Sequence, residues 1–118
     1  MKNIQFFKES LKNLKEVGTI FPSSKSVVEK MVAPINFEKK LTILELGSGS
    51  GVITKKLLEK ISCDSQLICF ETNKKFYQEL KKINDKKMIL INESAEKMKS
   101  YLDEFEIEKV DYIVSSVP

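Results

Sequence analysis

The residues best suited to chemistry in this 118-residue chain lie in one short stretch around position 45. Glu45 is followed by glycines at alternate positions, Gly47, Gly49 and Gly51. Glycine adopts positive φ readily and has no Cβ, so a ligand can approach its backbone closely. The stretch therefore predicts a ligand-binding turn, although an ordinary glycine-rich connection between a strand and a helix has the same composition.

The segments on either side of this turn define the elements that must position it. Residues 41–46 form an almost continuous apolar run, which is typical of a strand buried on both faces of a parallel sheet. Apolar residues at helical spacing follow the turn: Val52, Ile53, Leu57, Leu58 and Ile61. Strand, glycine turn and helix are the opening of a nucleotide-binding βαβ unit. The G-x-G-x-G spacing differs from the G-x-G-x-x-G of dinucleotide-binding proteins.

Glu71 is the second position that predicts a binding role. It closes the next apolar strand, residues 66–71, and lies 20 residues after Gly51 (71 − 51). In nucleotide-binding α/β units an acidic residue at about that distance accepts hydrogen bonds from ribose hydroxyls. A surface glutamate is the alternative, but ligands of such sheets bind at the carboxyl ends of the strands.

Polar residues also follow the third and fourth predicted strands. Asn92, Glu93 and Ser94 come after the apolar residues 88–91, and Ser115 and Ser116 come after 110–114. All three residues at 92–94 form turns readily, so a plain turn is the alternative there.

Helical patterns alternate with these strands, which predicts right-handed crossovers and an α/β fold with a parallel sheet. Helices are expected over 27–32, 73–83 with Asn73 as its cap, and 95–105. Residues 3–17 form a further predicted helix, an apolar stripe flanked by lysines. That helix either packs on its own domain or lies on a membrane surface.

Composition excludes several classes of protein. Hydrophobic residues at 42% and charged residues at 31% indicate one folded globular domain. The net charge of +3 permits an anionic partner without requiring one. The chain has no histidine, which excludes a histidine-dependent triad, and we expect no metal site. Cys63 and Cys69 lack C-x-x-C spacing and indicate free thiols in a reducing cytoplasm. No membrane-spanning run or secretory signal is recognisable.

The E-x-G-x-G-x-G stretch resembles the first motif of class I S-adenosylmethionine-dependent methyltransferases. The resemblance implies a Rossmann-like parallel sheet, of which this chain has about four strands, and S-adenosylmethionine as the cofactor. It implies that Glu45 orders the turn and that the cofactor contacts Gly47, Ser48, Gly49 and Gly51. By the same resemblance Glu71 binds the ribose, Glu93 binds the adenine amino group, and Ser115 and Ser116 face the methyl acceptor.

Further features are similar to the bacterial phospholipid N-methyltransferases, a group related to the ribosomal RNA adenine dimethylases. They are the V-G-T-I-F-P-S-S segment at 17–24, Phe6-Phe7 before it, and S-S-V-P at 115–118. The similarity implies an amine acceptor, a phospholipid head group, and contact of the first helix with the inner membrane face. Two departures stand out: Asn92-Glu93-Ser94 replaces the family's G-D-A, and the family's three further strands are missing.

These departures set the expected domain organisation: a helical preface at 1–37 and an incomplete cofactor-binding half at 38–118. Such a chain is expected to be inactive alone and to self-associate through its fourth strand. Three functions stay open at this point. They are a phospholipid amine methyltransferase, a nucleic-acid adenine methyltransferase that would use an aromatic residue after Pro118, and a non-catalytic cofactor-binding fragment.

Overall fold

The computed structural model describes residues 25–115 of the chain. The predicted helix at 3–17, the 17–24 segment and Ser116 lie outside the described residues. The described elements, in chain order, are α1 (Lys25–Val32), β1 (Thr42–Leu46), α2 (Val52–Lys60), β2 (Gln66–Phe70), α3 (Lys74–Lys81), β3 (Met88–Ile91), a 3₁₀ turn (Ala95–Lys97), α4 (Met98–Glu104) and β4 (Tyr112–Ser115). None of these helices has the length and apolar character that crossing a membrane requires.

The four strands form one parallel sheet in the order β3-β2-β1-β4. This confirms the predicted Rossmann-like α/β architecture and places β4 beyond β1 at one edge. In register, Leu46 at the end of β1 lies opposite Phe70 of β2 and Ser115 of β4. The carboxyl ends of these three strands are therefore level, and the loops that follow them share one edge of the sheet.

Helices cover both faces of the sheet because the central strands present apolar side chains on both sides. Along β2, Leu67 and Cys69 pack in one hydrophobic cluster, whereas Ile68 and Phe70 pack in the other. The first cluster includes residues of α1 and α2, and the second includes Met98 and Leu102 of α4. This alternation follows from the two-residue period of a strand, and it explains why the central strands are almost wholly apolar.

Most predicted helices form, with changes at their ends. Asn73 caps α3 as expected, because its side chain accepts a hydrogen bond from the Phe76 amide at 3.0 Å. The helix predicted at 95–105 starts instead as one 3₁₀ turn, in which the Lys97 amide donates to the Ser94 carbonyl. Ser94 also caps this turn through its hydroxyl, and that local bond tightens the first turn.

Two residues expected on apolar helix faces are exposed. Val52 and Phe76 are 42% and 41% accessible. Each lies in the first turn of its helix, close to the carboxyl edge of the sheet, where the apolar layer beneath it ends. Exposed apolar side chains thus stand near the glycine turn and near the residues that follow β2.

Candidate functional site

The glycine turn after β1 has the backbone conformation that its sequence predicts. Gly47, Gly49 and Gly51 have φ of 72°, 56° and 88°, all in the left-handed region that glycine tolerates best. The Gly47 amide donates to the Phe70 carbonyl at 2.8 Å, and the Gly51 amide donates to the Ser48 carbonyl at 3.0 Å. The turn is therefore fastened to β2 and then leads directly into α2.

Gly49 and Gly51 have different surroundings. A Cβ added to Gly49 would face open space, with the Gly47 carbonyl oxygen at 4.0 Å as its nearest neighbour. A Cβ added to Gly51 would lie 2.9 Å from Cδ2 of Leu80, a residue of α3. Gly49 thus leaves its backbone open to a ligand, whereas Gly51 lets α3 pack against the turn.

Glu45 lies beneath the turn and is only 1% exposed. Its Oε1 accepts hydrogen bonds from the Ser48 hydroxyl at 3.0 Å and the Thr54 hydroxyl at 2.5 Å. The Cys69 thiol donates to the same oxygen at 3.5 Å. Among the described residues Oε2 has no hydrogen-bond partner. One carboxyl group therefore joins β1 to the turn, to α2 and to β2. These contacts are a physical means by which Glu45 can order the glycine turn.

Burial raises the pKa of Glu45 above its ordinary value, because a charged carboxylate loses its hydration there. The hydrogen bonds from Thr54, Ser48 and Cys69 oppose this rise, since each stabilises the charged form. The charge of Glu71 adds to it. Burial also raises the pKa of the Cys69 thiol well above its ordinary value, so Cys69 stays protonated and remains a donor at neutral pH.

Glu71 follows β2 directly and contacts the turn. Its Oε1 accepts a hydrogen bond from the Gly49 amide at 2.6 Å, and its Oε2 accepts one from the Asn73 amide at 2.9 Å. The Asn92 side-chain amide donates to the Glu71 and Thr72 carbonyls at 2.8 and 3.2 Å. The structure thus brings together Glu71 and the glycine turn, which the sequence analysis assigned to one site.

The remaining predicted site residues lie at the same edge of the sheet or outside the described part. Glu93 follows β3, and its carboxylate is 3.9 Å from the Lys97 ammonium, with 37% of its side chain exposed. Ser115 is the last residue of β4 and lies opposite Leu46, just before the glycine turn. The adenine role of Glu93 and the acceptor role of Ser115 and Ser116 stay predictions.

Sequence reasoning missed three residues that hold this site together: Thr54, Cys69 and Asn92. Thr54 is a hydroxyl residue among the buried positions of α2, and that mismatch with an apolar face was a usable signal. Cys69 carried no such signal, because a buried cysteine behaves as a small apolar residue. Asn92 lies in the polar stretch 92–94, whose composition by itself indicates only a turn.

The residues present fit an adenosine-containing ligand. Open space over Gly49 admits a close approach to the backbone, and Glu71 offers a carboxylate beside it. Within residues 25–115, no group of three acidic or cysteine side chains is placed to hold a metal ion. A parallel α/β sheet with a buried glutamate near the end of β1, a glycine turn after it and a carboxylate after β2 is the arrangement of the cofactor-binding region of a class I methyltransferase.

Comparison with known proteins identifies the family. The sequence model of the family described as "Ribosomal RNA adenine dimethylase" matches residues 10–118, and the chain belongs to that family. The family uses S-adenosylmethionine as its methyl donor. Among its relatives is ribosomal RNA small subunit methyltransferase A of Mesomycoplasma hyopneumoniae, 32% identical over 105 residues. That match covers 88% of this chain and 37% of the relative.

Two further comparisons bear on function and fold. Ornithine lipid N-methyltransferase of Singulisphaera acidiphila is 26% identical over 104 residues, covering 86% of this chain and 54% of the relative. The structure of yhhF from Escherichia coli, a protein assigned as a methyltransferase, aligns with a TM-score of 0.52 at 20% identity. It covers 70% of this chain and 46% of that one, and it supports the fold alone. The chain thus spans about a third to a half of the length of these relatives.

Proposed function

We propose that this chain is the cofactor-binding part of an S-adenosylmethionine-dependent methyltransferase that acts on an amine. The observation that carries the proposal is the contact between the Gly49 amide and the Glu71 carboxylate at the carboxyl edge of the sheet. Gly49 leaves space for a ligand, and Glu71 supplies the acceptor that ribose hydroxyls need.

In this proposal the chain's own residues bind and orient rather than activate a nucleophile. When bound, S-adenosylmethionine would supply a methyl group activated by its sulfonium: an amine nitrogen can form a bond to the methyl carbon in line as the carbon–sulfur bond breaks, S-adenosylhomocysteine leaves as a neutral thioether, and the methylated amine loses a proton. Such chemistry depends mainly on positioning. Gly47, Ser48 and Gly49 then line the methionine side of the cofactor, and Glu71 holds the ribose. Ser115, at the end of β4, stands beside the turn, where the acceptor would enter.

The Gly49–Glu71 hydrogen bond also predicts how the site responds to the cofactor. Both oxygens of Glu71 are occupied by backbone amides, and the residue is only 7% exposed. Ribose hydroxyls would therefore share or displace the Gly49 amide. We expect the turn to shift slightly away from Glu71 on binding, which exposes the carboxylate to the ligand.

The acceptor that we propose first is an adenine amine of ribosomal RNA. It is supported by the family that matches residues 10–118 and by the relative from Mesomycoplasma hyopneumoniae. Fluorescence anisotropy with a small-subunit ribosomal RNA hairpin, with and without S-adenosylhomocysteine, tests it. Absence of RNA binding at low salt would remove this acceptor for the chain.

A lipid amine is the second candidate acceptor. It is supported by the ornithine lipid relative and by the lysine-flanked apolar stripe at 3–17. With this acceptor the protein would lie in the cytoplasm at the inner membrane face. Co-sedimentation with phosphatidylglycerol vesicles but not with phosphatidylcholine vesicles is the expected result, because each lysine near an anionic surface adds about 1 kcal/mol.

The first prediction tests cofactor binding. Calorimetry should detect binding of S-adenosylhomocysteine, and Glu71→Ala should weaken it by about 1–3 kcal/mol, the range for losing hydrogen bonds to a charged acceptor. Glu79→Ala is the matched control, because Glu79 is an exposed glutamate on the adjacent α3. Binding of a nicotinamide dinucleotide in place of S-adenosylhomocysteine would overturn the proposed function.

A further inference from the structure

We propose that Thr54 is a positioning residue for the cofactor: its hydroxyl, acting through Glu45, fixes the glycine turn in the shape that receives the ligand. The inference rests on the proposed function and extends it to a residue of α2 that faces the interior. Thr54 is 0% exposed, so its hydroxyl acts within the protein and makes no contact with solvent.

The geometry makes one oxygen the junction of four elements. Oε1 of Glu45, on β1, accepts from Ser48 in the turn, Thr54 in α2 and Cys69 in β2. Ser48 stands between Gly47 and Gly49, so the position of the carboxylate sets the position of the turn residue that lies next to the ligand. A displacement of Glu45 would therefore be transmitted directly to the Gly49 backbone.

Thr54 is the strongest of the three anchors. Its bond is the shortest, at 2.5 Å, compared with 3.0 Å for Ser48 and 3.5 Å for Cys69. A thiol is a weak donor, and Ser48 is part of the turn that must be held. The side chain of Thr54 is β-branched and lies in a helix, which leaves it only two favoured χ1 rotamers, and the hydrogen bond to Glu45 selects one of them.

The charge of Glu45 links this anchor to pH. A carboxylate accepts hydrogen bonds more strongly than a neutral carboxyl group, so the three donors hold Glu45 best when it is ionised. Among residues 25–115, the titratable groups that affect it are Cys69 on β2 and Glu71 after β2, and neither supplies a positive charge. The ionised form of Glu45 is therefore stabilised by hydroxyl and thiol donors. Loss of the Thr54 hydroxyl should raise the pKa of Glu45 further.

Two variants of Thr54 separate this role from simple packing. Thr54→Val keeps the shape and removes the donor, whereas Thr54→Ser keeps the donor. We expect Thr54→Val to weaken S-adenosylhomocysteine binding about tenfold or more. The loss should be greatest between the titration midpoints of the two proteins, where Glu45 is ionised in wild type and neutral in the variant. Thr54→Ser should restore most of the affinity. Ser65→Ala is the matched control, because Ser65 has a buried hydroxyl at the opposite end of β2.

Measurements on the ligand-free protein make the test independent of cofactor binding. Carbon NMR of the Glu45 carboxyl should show a higher titration midpoint in Thr54→Val than in wild type, and amide exchange at Gly49 should be faster. Unchanged midpoint and exchange in a folded Thr54→Val would overturn the inference. So would an equal loss of affinity at every pH that Thr54→Ser fails to restore. Failure of wild type to bind S-adenosylhomocysteine would instead count against the proposed function, with the ligand-free readouts still deciding the role of Thr54.

Discussion

At the scale of single residues, ionisation of Glu45 has opposite effects on the glycine turn and on the stability of the fold. Its carboxylate is the acceptor that gathers Ser48, Thr54 and Cys69, and an ionised group does this best. Burial at 1% exposure favours the neutral form. The site thus keeps a carboxyl group in surroundings that cost stability once it ionises, a combination that is common at binding sites.

The raised pKa of Glu45 makes the stability of the fold depend on pH. Because the folded-state pKa of Glu45 is raised above its ordinary value of 4.5, its contribution to stability is fully present below that pH. The contribution is lost as pH rises through the raised pKa, with a slope of at most about 1.4 kcal/mol per pH unit. Glu45→Gln cannot ionise and should lack this slope.

Urea unfolding from pH 4 to 8 measures this effect as the difference in free energy of unfolding between wild type and Glu45→Gln. Glu79→Gln, at an exposed position of α3, should leave the wild-type slope unchanged. A difference between wild type and Glu45→Gln that stays constant across this pH range would show that Glu45 titrates normally in the folded protein.

At the scale of elements, α3 packs against the turn only because Gly51 lacks a side chain. Leu80 of α3 would lie 2.9 Å from a Cβ at that position, whereas a Cβ at Gly49 would meet open space. The alternate glycines look equivalent in the sequence. The structure assigns one to helix packing and leaves the other available to a ligand.

Alanine substitutions at these two glycines should separate the two roles. Gly51→Ala should lower the free energy of unfolding by about 1–3 kcal/mol for overpacking, in addition to strain at φ of 88°. Gly49→Ala should cost only the strain, about 1–2 kcal/mol, and should weaken S-adenosylhomocysteine binding more strongly. Urea unfolding and calorimetry on both variants check this. Equal stability losses combined with normal binding by Gly49→Ala would contradict the assignment.

The elements themselves were predictable because they depend on local patterns. Apolar runs at 41–46 and 66–70 mark the central strands, and Asn73 marks the start of α3. The contacts that hold the site were not predictable in the same way. Asn92 reaches the Glu71 carbonyl across 21 residues, and Thr54 reaches Glu45 across nine. Such contacts depend on how neighbouring strands and helices are placed, which no local periodicity encodes.

The exposed positions of Phe76 and Val52 illustrate the same limit. Both fit an apolar stripe at helical spacing, but each lies in the first turn of its helix. Periodicity identifies which face of a helix is apolar, but it does not show how far along the helix the covering layer extends. That extent depends on where the strands end; here β1 ends at Leu46 and β2 ends at Phe70.

At the scale of the whole molecule, β4 is at one edge of the sheet that residues 25–115 form. Edge strands present backbone groups that pair readily with another strand. Tyr112 and Ile113 of β4 are half-buried and carry large apolar side chains. The chain also spans 37% of its Mesomycoplasma hyopneumoniae relative. We therefore propose that, in isolation, the chain binds the cofactor without transferring methyl groups and associates with itself through β4.

The last prediction tests this association with a matched pair of edge variants. Ile113→Lys on β4 should reduce self-association, because a lysine on an edge strand opposes pairing with a second chain. Ile89→Lys on β3, at the opposite edge, is the control, since Ile89 is also half-buried and packs against the same cluster. Light scattering over a concentration series, with thermal unfolding to compare stability, should show association in wild type and Ile89→Lys but much less in Ile113→Lys.

A methyl-transfer assay with labelled S-adenosylmethionine should detect no product from the isolated chain. A monodisperse monomer that transfers methyl groups would show that 118 residues suffice for both folding and catalysis, and that the β4 edge needs no partner.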